Sequence, residues 1–208
     1  MLAIIGTYRG LDYVPRLLES IKEHTTGISS VVFVDDSGDW DVRQALKQWG
    51  SVIPVGEHNR GYNAAMQMVV ARGDEYGRPA AFIEEDFYFT GAVDFTEYAD
   101  HLTAHPYLSQ VVVQRNAWFP NELRAGGMLK ALKARGQRFE GVDGYFEHTS
   151  FFSCNPAVWS PATFASGWPK GEWSENLKRD QLISAGYKFA ITPEILCHHD
   201  GIRSGKDY

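Results

Sequence analysis

Residues 80–90, Ala-Ala-Phe-Ile-Glu-Glu-Asp-Phe-Tyr-Phe-Thr, combine a short apolar run with three consecutive carboxylates, Glu84, Glu85 and Asp86. An apolar run of this length, ended by charged residues, predicts a strand buried on both faces of a sheet. In open α/β sheets, ligands bind beyond the carboxyl ends of such strands. Adjacent carboxylates repel one another unless a cation or hydrogen-bond donors hold them, so a divalent metal ion is a natural partner. A solvated acidic turn is the alternative interpretation.

Composition limits the classes of protein to consider. A chain of 208 residues suits one large domain, and 20 basic against 26 acidic residues give a net charge of −6. This charge argues against a protein that mainly holds nucleic acid by its phosphates. Cys154 and Cys197 each lie in an apolar neighbourhood, which predicts buried free thiols. Met1 leads directly into an apolar run, and no run approaches the ~20 residues of a membrane helix, so we expect a soluble cytoplasmic protein.

The first 90 residues alternate between short apolar runs and segments of helical periodicity, which predicts a parallel sheet with right-handed crossovers. Predicted strands cover residues 2–5, 31–34 and 52–55 and the run that begins at residue 80. Predicted helices cover 11–21 and 41–48. A third predicted helix begins at 59–63, and Gly73 and residues 77–79 break it before the acidic strand.

The pattern is weaker after residue 90. We predict helices at 95–102, 124–135 and 175–185, strands at 110–114, 150–154 and 189–191, a short helix from Asn155-Pro156, a loop at 167–173 and a mobile loop at 136–148.

Six segments together resemble the family 2 glycosyltransferases of the GT-A fold, over nearly the whole chain. The resemblance implies an α/β, Rossmann-like fold with a mostly parallel central sheet flanked by helices. It also implies one domain, 1–208, with a nucleotide-binding half at 1–90 and an acceptor-binding half at 91–208. The segments are Ile5-Gly6-Thr7-Tyr8-Arg9, Val34-Asp35-Asp36-Ser37, Asn59-Arg60-Gly61, Glu84-Glu85-Asp86, Ala185-Gly186-Tyr187-Lys188 and His198-His199.

The donor-binding candidates lie at predicted strand ends and at one helix start. Thr7, Tyr8 and Arg9 offer hydrogen-bond donors at a strand end, where a nucleotide can meet them. Asp35 or Asp36 can accept from a pyrimidine N–H or from ribose hydroxyls; a capped turn before the next helix is the alternative.

Arg60 and Gly61 lie where free backbone N–H groups and the helix dipole favour a diphosphate. A simple helix-entry glycine is the alternative interpretation of Gly61.

The resemblance assigns the metal site to the acidic segment and the terminal histidines. It implies that Glu84 faces the ribose and that Asp86 ligates Mn²⁺ or Mg²⁺, with Glu85 also on the donor side. The family usually has Asp where Glu84 stands. His198 or His199 would supply one imidazole to the metal, and alternation along an extended segment would let only one of them face the site.

An inverting sugar transfer requires a carboxylate that removes the proton of the acceptor hydroxyl. The resemblance places this base near the start of the helix before Ala185-Gly186-Tyr187-Lys188, which selects Glu175, with Glu172 and Asp180 as rivals. A first-turn acid that complements the helix dipole is the alternative role for Glu175.

Aromatic residues are the candidates for contacts with the acceptor, because their rings can stack on a sugar face. Trp173 and Phe151 are the acceptor-binding candidates, and Trp168 is either a stacking residue or part of the core.

The resemblance implies a metal-dependent inverting glycosyltransferase that moves one sugar, most often from a UDP-sugar, to an acceptor hydroxyl. The lack of a Gln-x-x-Arg-Trp motif argues against a processive synthase. A sugar-phosphate nucleotidyltransferase and a non-catalytic nucleotide-sugar-binding module are the alternatives. The acceptor stays open: a small metabolite, a lipid-linked sugar, a protein or a hydroxylated DNA base.

Overall fold

The computed structural model describes residues 1–8 and 10–201, which form a mixed α/β fold with a large central sheet flanked by helices. The strands are β1 Leu2–Thr7, β2 Thr25–Thr26, β3 Ser30–Asp35, β4 Ser51–Pro54, β5 Ala80–Glu84, β6 Phe87–Phe89, β7 Val93–Asp94, β8 Leu108–Arg115, β9 Glu140–Val142, β10 Tyr145–His148, β11 Ala157–Trp159 and β12 Lys188–His199. The helices are α1 Gly10–His24, α2 Trp40–Leu46, α3 Tyr62–Tyr76, α4 Phe95–Ala104, α5 Pro120–Ala125, α6 Met128–Ala134, α7 Pro161–Ala165 and α8 Ser174–Ser184.

The central sheet has the strand order β4-β3-β1-β5-β11-β8-β12-β10-β9, and β6 pairs with β12. The strands β4, β3, β1 and β5 are parallel to one another, as the alternation of strands and helices predicts. Beyond β5 the sheet is mixed, because β11 runs antiparallel to both β5 and β8 while β12 runs parallel to β8. The carboxyl ends of β1, β3 and β5 therefore meet at one edge of the sheet.

Both faces of the sheet are covered by apolar clusters, so successive residues of a strand enter different clusters. In β5, Phe82 packs into one cluster and Ile83 into the other, and both are fully buried. This confirms the predicted strand buried on both faces. Cys154 and Cys197 are buried free thiols, also as predicted.

Two predictions, one for the end of α3 and one for the α5–α6 region, need correction. Gly73 does not end α3, because the close approach of the Phe164 ring makes glycine necessary inside the helix: a Cβ there would lie 2.1 Å from that ring. The single helix predicted at 124–135 is wrong. Gly126 and Gly127, with φ of 75° and 140°, separate α5 from α6.

Four predictions for the later part of the chain also need correction. Residues 136–148 are not a loop but contain the hairpin of β9 and β10, which pairs with β12. Residues 150–154 are irregular rather than a strand, and the strand β11 stands where a helix was expected after Asn155. The last strand is much longer than residues 189–191, so His198 and His199 lie within β12.

Across residues 1–8 and 10–201, no helix has the length and apolar character that crossing a membrane requires.

Candidate active site

The acidic residues after β5 lie at the carboxyl edge of the sheet. Glu84 is half-buried, Glu85 is buried, and Asp86 is half-buried and turns toward β12, where its Oδ2 lies 3.3 Å from Nε2 of His199. Burial raises the pKa of Glu84 well above its ordinary value, and the charges of Asp86, Glu175 and Glu85 raise it further. A cation at this edge would relieve that crowding of negative charge.

The terminal histidines point to opposite sides of β12, as the alternation of a strand requires. His198 Nδ1 lies 3.2 Å from the hydroxyl of Tyr88. His199 faces Asp86, and its ring packs edge-on against Trp118 at a centroid distance of 4.2 Å. The backbone N–H of His199 donates to Oδ1 of Asn116 at 3.0 Å, which fixes the strand at this point.

Asp86 and His199 fit a divalent cation in their chemistry. Oδ1 of Asp86 and Nδ1 of His199 are buried and have no hydrogen-bond partner in the described part of the chain. Carboxylate oxygen and imidazole nitrogen are both common ligands of Mn²⁺. No set of three or more His, Cys, Asp or Glu residues is arranged as a metal cage within 1–8 and 10–201. A cation here would therefore need further ligands from water or from a bound molecule.

Asp35 and its neighbours form a buried polar network at the end of β3. Its carboxylate accepts from Nε of Arg43 at 3.0 Å, from Oγ of Ser37 at 2.9 Å and from Oγ1 of Thr7 at 3.3 Å. Asp35 is fully buried and Thr7 is 4% exposed. In this arrangement both side chains stabilise the turn at the end of β3.

Asp36 occupies the backbone N–H groups that were predicted to bind a diphosphate. Its two oxygens each accept at 2.8 Å, one from the N–H of Arg60 and the other from the N–H of Gly61. Burial raises the pKa of Asp36, while these two hydrogen bonds lower it. Asp36 therefore holds the segment that leads into α3, and the capped turn considered as the alternative is formed by Asp39 at the start of α2.

The remaining donor candidates are the Tyr8 side chain, which is half-buried, and that of Arg60, which is exposed. Arg9 lies outside the described residues.

Glu175 lies in the first turn of α8 and faces the carboxyl edge of the sheet. Its Oε2 accepts from the backbone N–H of Cys154 at 3.2 Å, and the carboxylate also hydrogen-bonds to Tyr62. Desolvation raises the pKa of Glu175, and these two hydrogen bonds lower it again. The carboxyl group is therefore held by two donors in a place where proton uptake is favoured, as a general base requires.

The other candidates near α8 lie elsewhere. Asp180 is exposed, pairs with the adjacent Arg179 at 2.8 Å and does not line the pocket. Glu172 is exposed as well. Trp173 is 75% exposed and has a left-handed backbone with φ of 57°. Trp168, by contrast, belongs to the core, because its ring stacks on that of Trp159.

A pocket of about 310 Å³ brings several of these residues together at the carboxyl edge of the sheet. Its lining combines charged and polar side chains with aromatic and apolar ones. The lining residues are Glu84, Arg115, Trp118, Phe119, Glu122, Met128, Leu132, Phe151, Ser153, Asn155, Glu175 and His199.

The sequence interpretation missed the segment 115–122, which contributes four residues to the lining of the pocket. Arg115 is buried and binds both carboxylate oxygens of Glu122, at 2.7 and 3.0 Å. Glu122 also accepts from the N–H groups of Trp118 and Phe119, at 3.0 and 3.1 Å, so it caps α5. Proline at the first position of a helix with Glu two residues later is a signal for this cap. No sequence signal places the pair in the pocket.

The fold matches solved GT-A glycosyltransferase structures. One is GalNAc-T7 with UDP, GalNAc and Mn²⁺, with a TM-score of 0.65 and 10% identity over 95% of this chain. Another is the mannosyltransferase PcManGT from Pyrobaculum calidifontis with GDP-Man and Mn²⁺, with a TM-score of 0.64 and 16% identity over 98% of this chain. A third is S. aureus TarS, with a TM-score of 0.65 and 14% identity over 96% of this chain.

The chain spans 43%, 57% and 36% of the lengths of these three proteins, in the same order. No protein-family model matches the sequence, and no curated protein matches it significantly. These likenesses show the fold.

Proposed function

We propose that this protein is a metal-dependent, inverting glycosyltransferase of the family 2 type. The observation that carries the proposal is the meeting of Glu84, Glu175 and His199 in one pocket at the carboxyl edge of a GT-A sheet. Such edges are where α/β folds bind ligands. The neighbours with bound nucleotides or nucleotide sugars and Mn²⁺ support the reaction class.

Asp86 and His199 are the residues that would hold Mn²⁺ or Mg²⁺. When bound, the cation supplies positive charge that neutralises the departing diphosphate. Glu84 would lie on the donor side of the same edge, and the exposed side chain of Arg60 is the remaining candidate for a diphosphate contact at the start of α3. UDP is the default nucleotide, and GDP is the alternative that the mannosyltransferase suggests.

Glu175 would take the proton of the acceptor hydroxyl as that oxygen attacks the anomeric carbon. The acceptor would lie in the pocket beside Glu175, where Trp118 and Phe151 offer aromatic rings. Residues 1–90 would then bind the nucleotide, and 91–208 would supply the base and most of the acceptor-binding residues.

Thermal melting with a panel of nucleotide sugars tests the donor. We expect one nucleotide sugar to raise the melting temperature by roughly 5–10 °C at a hundredfold excess over its Kd, and only with Mn²⁺ or Mg²⁺ present. Stabilisation by several sugars of the same nucleotide would identify the nucleotide rather than the sugar as the recognised part.

Product analysis with that donor then separates the three functions. A glycosyltransferase releases the nucleoside diphosphate when an acceptor panel is added. Pyrophosphate release from a nucleoside triphosphate and a sugar 1-phosphate would instead identify a nucleotidyltransferase. Metal-dependent binding with neither release nor transfer would identify a binding module, and either result would overturn the proposal.

A further inference from the structure

Tyr62 is the first residue of α3 and contacts the base candidate from the donor side of the site. Its hydroxyl lies 3.0 Å from Sγ of Cys154 and also hydrogen-bonds to the carboxylate of Glu175. Tyr62 directly follows Gly61, whose N–H is held by the buried Asp36. The phenol therefore stands between the loop at the start of α3 and the first turn of α8.

Packing limits where this hydroxyl can point. The ring of Tyr62 meets the buried ring of Trp168 edge-on, with centroids 6.1 Å apart and planes at 78°. Cys154 is 2% exposed, and its backbone N–H holds Oε2 of Glu175 from the other side. The carboxylate is thus fixed by one donor from α3 and another from the 150–156 segment.

We propose that Tyr62 is a positioning residue, which holds the Glu175 carboxylate ionised and directed into the pocket. This inference rests on the proposed function, because it requires Glu175 to act as the general base. The phenol carries a single hydrogen, which either Sγ of Cys154 or the Glu175 carboxylate could accept. A carboxylate is a much stronger acceptor than a thiol sulfur, so we infer that the phenol donates to Glu175 and that the Cys154 thiol donates to the phenol oxygen.

Charged and titratable groups face Glu175 from several elements. Glu84 on β5 and Arg115 on β8 act on its proton affinity in opposite directions, since a neighbouring carboxylate opposes ionisation and a guanidinium favours it. Glu122 and His199 line the same pocket, and Cys154 lies beside Tyr62. Burial favours the protonated acid, so the hydrogen bond from Tyr62 opposes the largest influence on this group.

The sign of the effect follows from this balance. The hydroxyl of Tyr62 donates a hydrogen bond that stabilises the ionised form of Glu175. Removing it should therefore raise the pKa of Glu175 further. A base must be ionised to act. The acidic limb of the pH–rate profile should therefore move to higher pH, and turnover below that limb should fall by roughly tenfold, as expected for loss of one hydrogen bond to a charged group.

Infrared titration of the carboxyl band tests the inference without any donor or acceptor. The Glu175 signal is isolated by subtracting the spectrum of Glu175→Gln. We expect Tyr62→Phe, which keeps the ring on Trp168, to move this titration to higher pH. Tyr76→Phe at the far end of the same helix is the matched control and should leave it unchanged.

Cys154→Ala gives a second test, which is compared with Tyr62→Phe. It removes the thiol but leaves the phenol free to donate to Glu175, so the titration should move less than in Tyr62→Phe. An unmoved titration in Tyr62→Phe, or an equal shift in both variants, would overturn the positioning role. The proposed function fails by a different result, namely full sugar transfer by Glu175→Gln.

Discussion

At the scale of single residues, the chemistry concentrates on a few carboxylates at the end of β5 and the start of α8. Glu84 is desolvated and lies near the charges of both Asp86 and Glu175, which makes ionisation of Glu84 unfavourable and raises its pKa. Asp86 additionally has a buried oxygen without a partner in the described chain. Such an arrangement is stabilised by a bound cation or by protonation. In the first case added metal should bind at this site, and in the second case it should not.

Asp86→Asn tests the cation. The substitution preserves the shape of the side chain but removes its charge, so we expect Mn²⁺-dependent binding of the donor's nucleoside diphosphate to weaken by about ten- to a hundredfold. The melting temperature without ligand should be nearly unchanged. Calorimetry with and without Mn²⁺ measures both forms of binding.

His198→Gln is the matched control for this experiment, because His198 faces Tyr88 on the other side of β12. His199→Gln should behave like Asp86→Asn. Normal metal-dependent binding in Asp86→Asn, or equal losses in both histidine variants, would contradict the assignment of the metal to Asp86 and His199.

Glu175→Gln tests the base at the same scale. If Glu175 acts only as the acceptor hydroxyl loses its proton, donor affinity should stay nearly constant while turnover falls by roughly 10²–10⁴-fold. Asp180→Asn is the control, since Asp180 is exposed on α8 and outside the pocket. Steady-state rates and donor calorimetry on both variants decide the matter. A preserved rate in Glu175→Gln would leave it as an acid that only complements the helix dipole, worth about 0.3–1 kcal/mol of stability.

At the scale of elements, local sequence signals located most strands and helices of the first 90 residues but not the pairing that surrounds the pocket. The hairpin of β9 and β10 is polar and rich in glycine, and it becomes a sheet only because β12 offers a long-range partner. Likewise, β11 is three residues long and is recognisable only between β5 and β8. The alternation of side chains along an extended segment did predict that only one of His198 and His199 would face the site.

In the candidate site as well, some features could be predicted from the sequence and others depend on tertiary packing. The acidic segment after β5 could be found from strand signals in the sequence, and Glu175 was selected by the resemblance to family 2 glycosyltransferases. The contact of Tyr62 with Glu175 could not, because it joins residues separated by more than one hundred positions through tertiary packing alone. For the same reason, the sequence could not show that Asp36 already occupies the N–H groups at the start of α3.

Helix α8 is joined to the end of α7 by a fully buried lysine. Nζ of Lys178 donates to the carbonyl of Thr163 at 2.8 Å, to Oγ of Ser166 at 2.5 Å and to the carbonyl of Gly167. Burial lowers the pKa of Lys178 from 10.5 to about 8. The hydrogen bonds close the loop that leads into α8 and so help to set where Glu175 stands.

This lysine predicts a pH dependence of stability. Between pH 8 and 10.5 the unfolded chain holds a proton on Lys178 that the folded protein has released, so stability from this group rises with pH. We expect the unfolding free energy of the protein to gain up to about 1.4 kcal/mol per pH unit relative to Lys178→Met in this window. Urea unfolding from pH 7 to 10 measures it. Lys130→Met, at an exposed position of α6, should show no such difference, and parallel curves for the protein and Lys178→Met would refute the claim.

At the scale of the whole molecule, one sheet and two apolar clusters join the two halves that the function would need. The antiparallel strand β11 lies between β5 of the first half and β8 of the second. One cluster contains Ile4 and Phe189, and the other contains Ile5 and Val111, so each takes residues from both halves. Residues 1–90 would leave an apolar edge at β5 if they stood alone.

This continuity predicts that the chain unfolds as one cooperative unit. Because both clusters cross residue 90, loss of either half exposes the apolar surface of the other, and an intermediate with one folded half is unfavourable. Urea transitions followed by far-ultraviolet circular dichroism and by tryptophan fluorescence should coincide. Hydrogen exchange in rising urea should give the strands β1 and β8 the same midpoint, and a fragment of residues 1–90 should not fold. Separate midpoints for β1 and β8 would instead define two domains, and the pocket would then lie at a hinge.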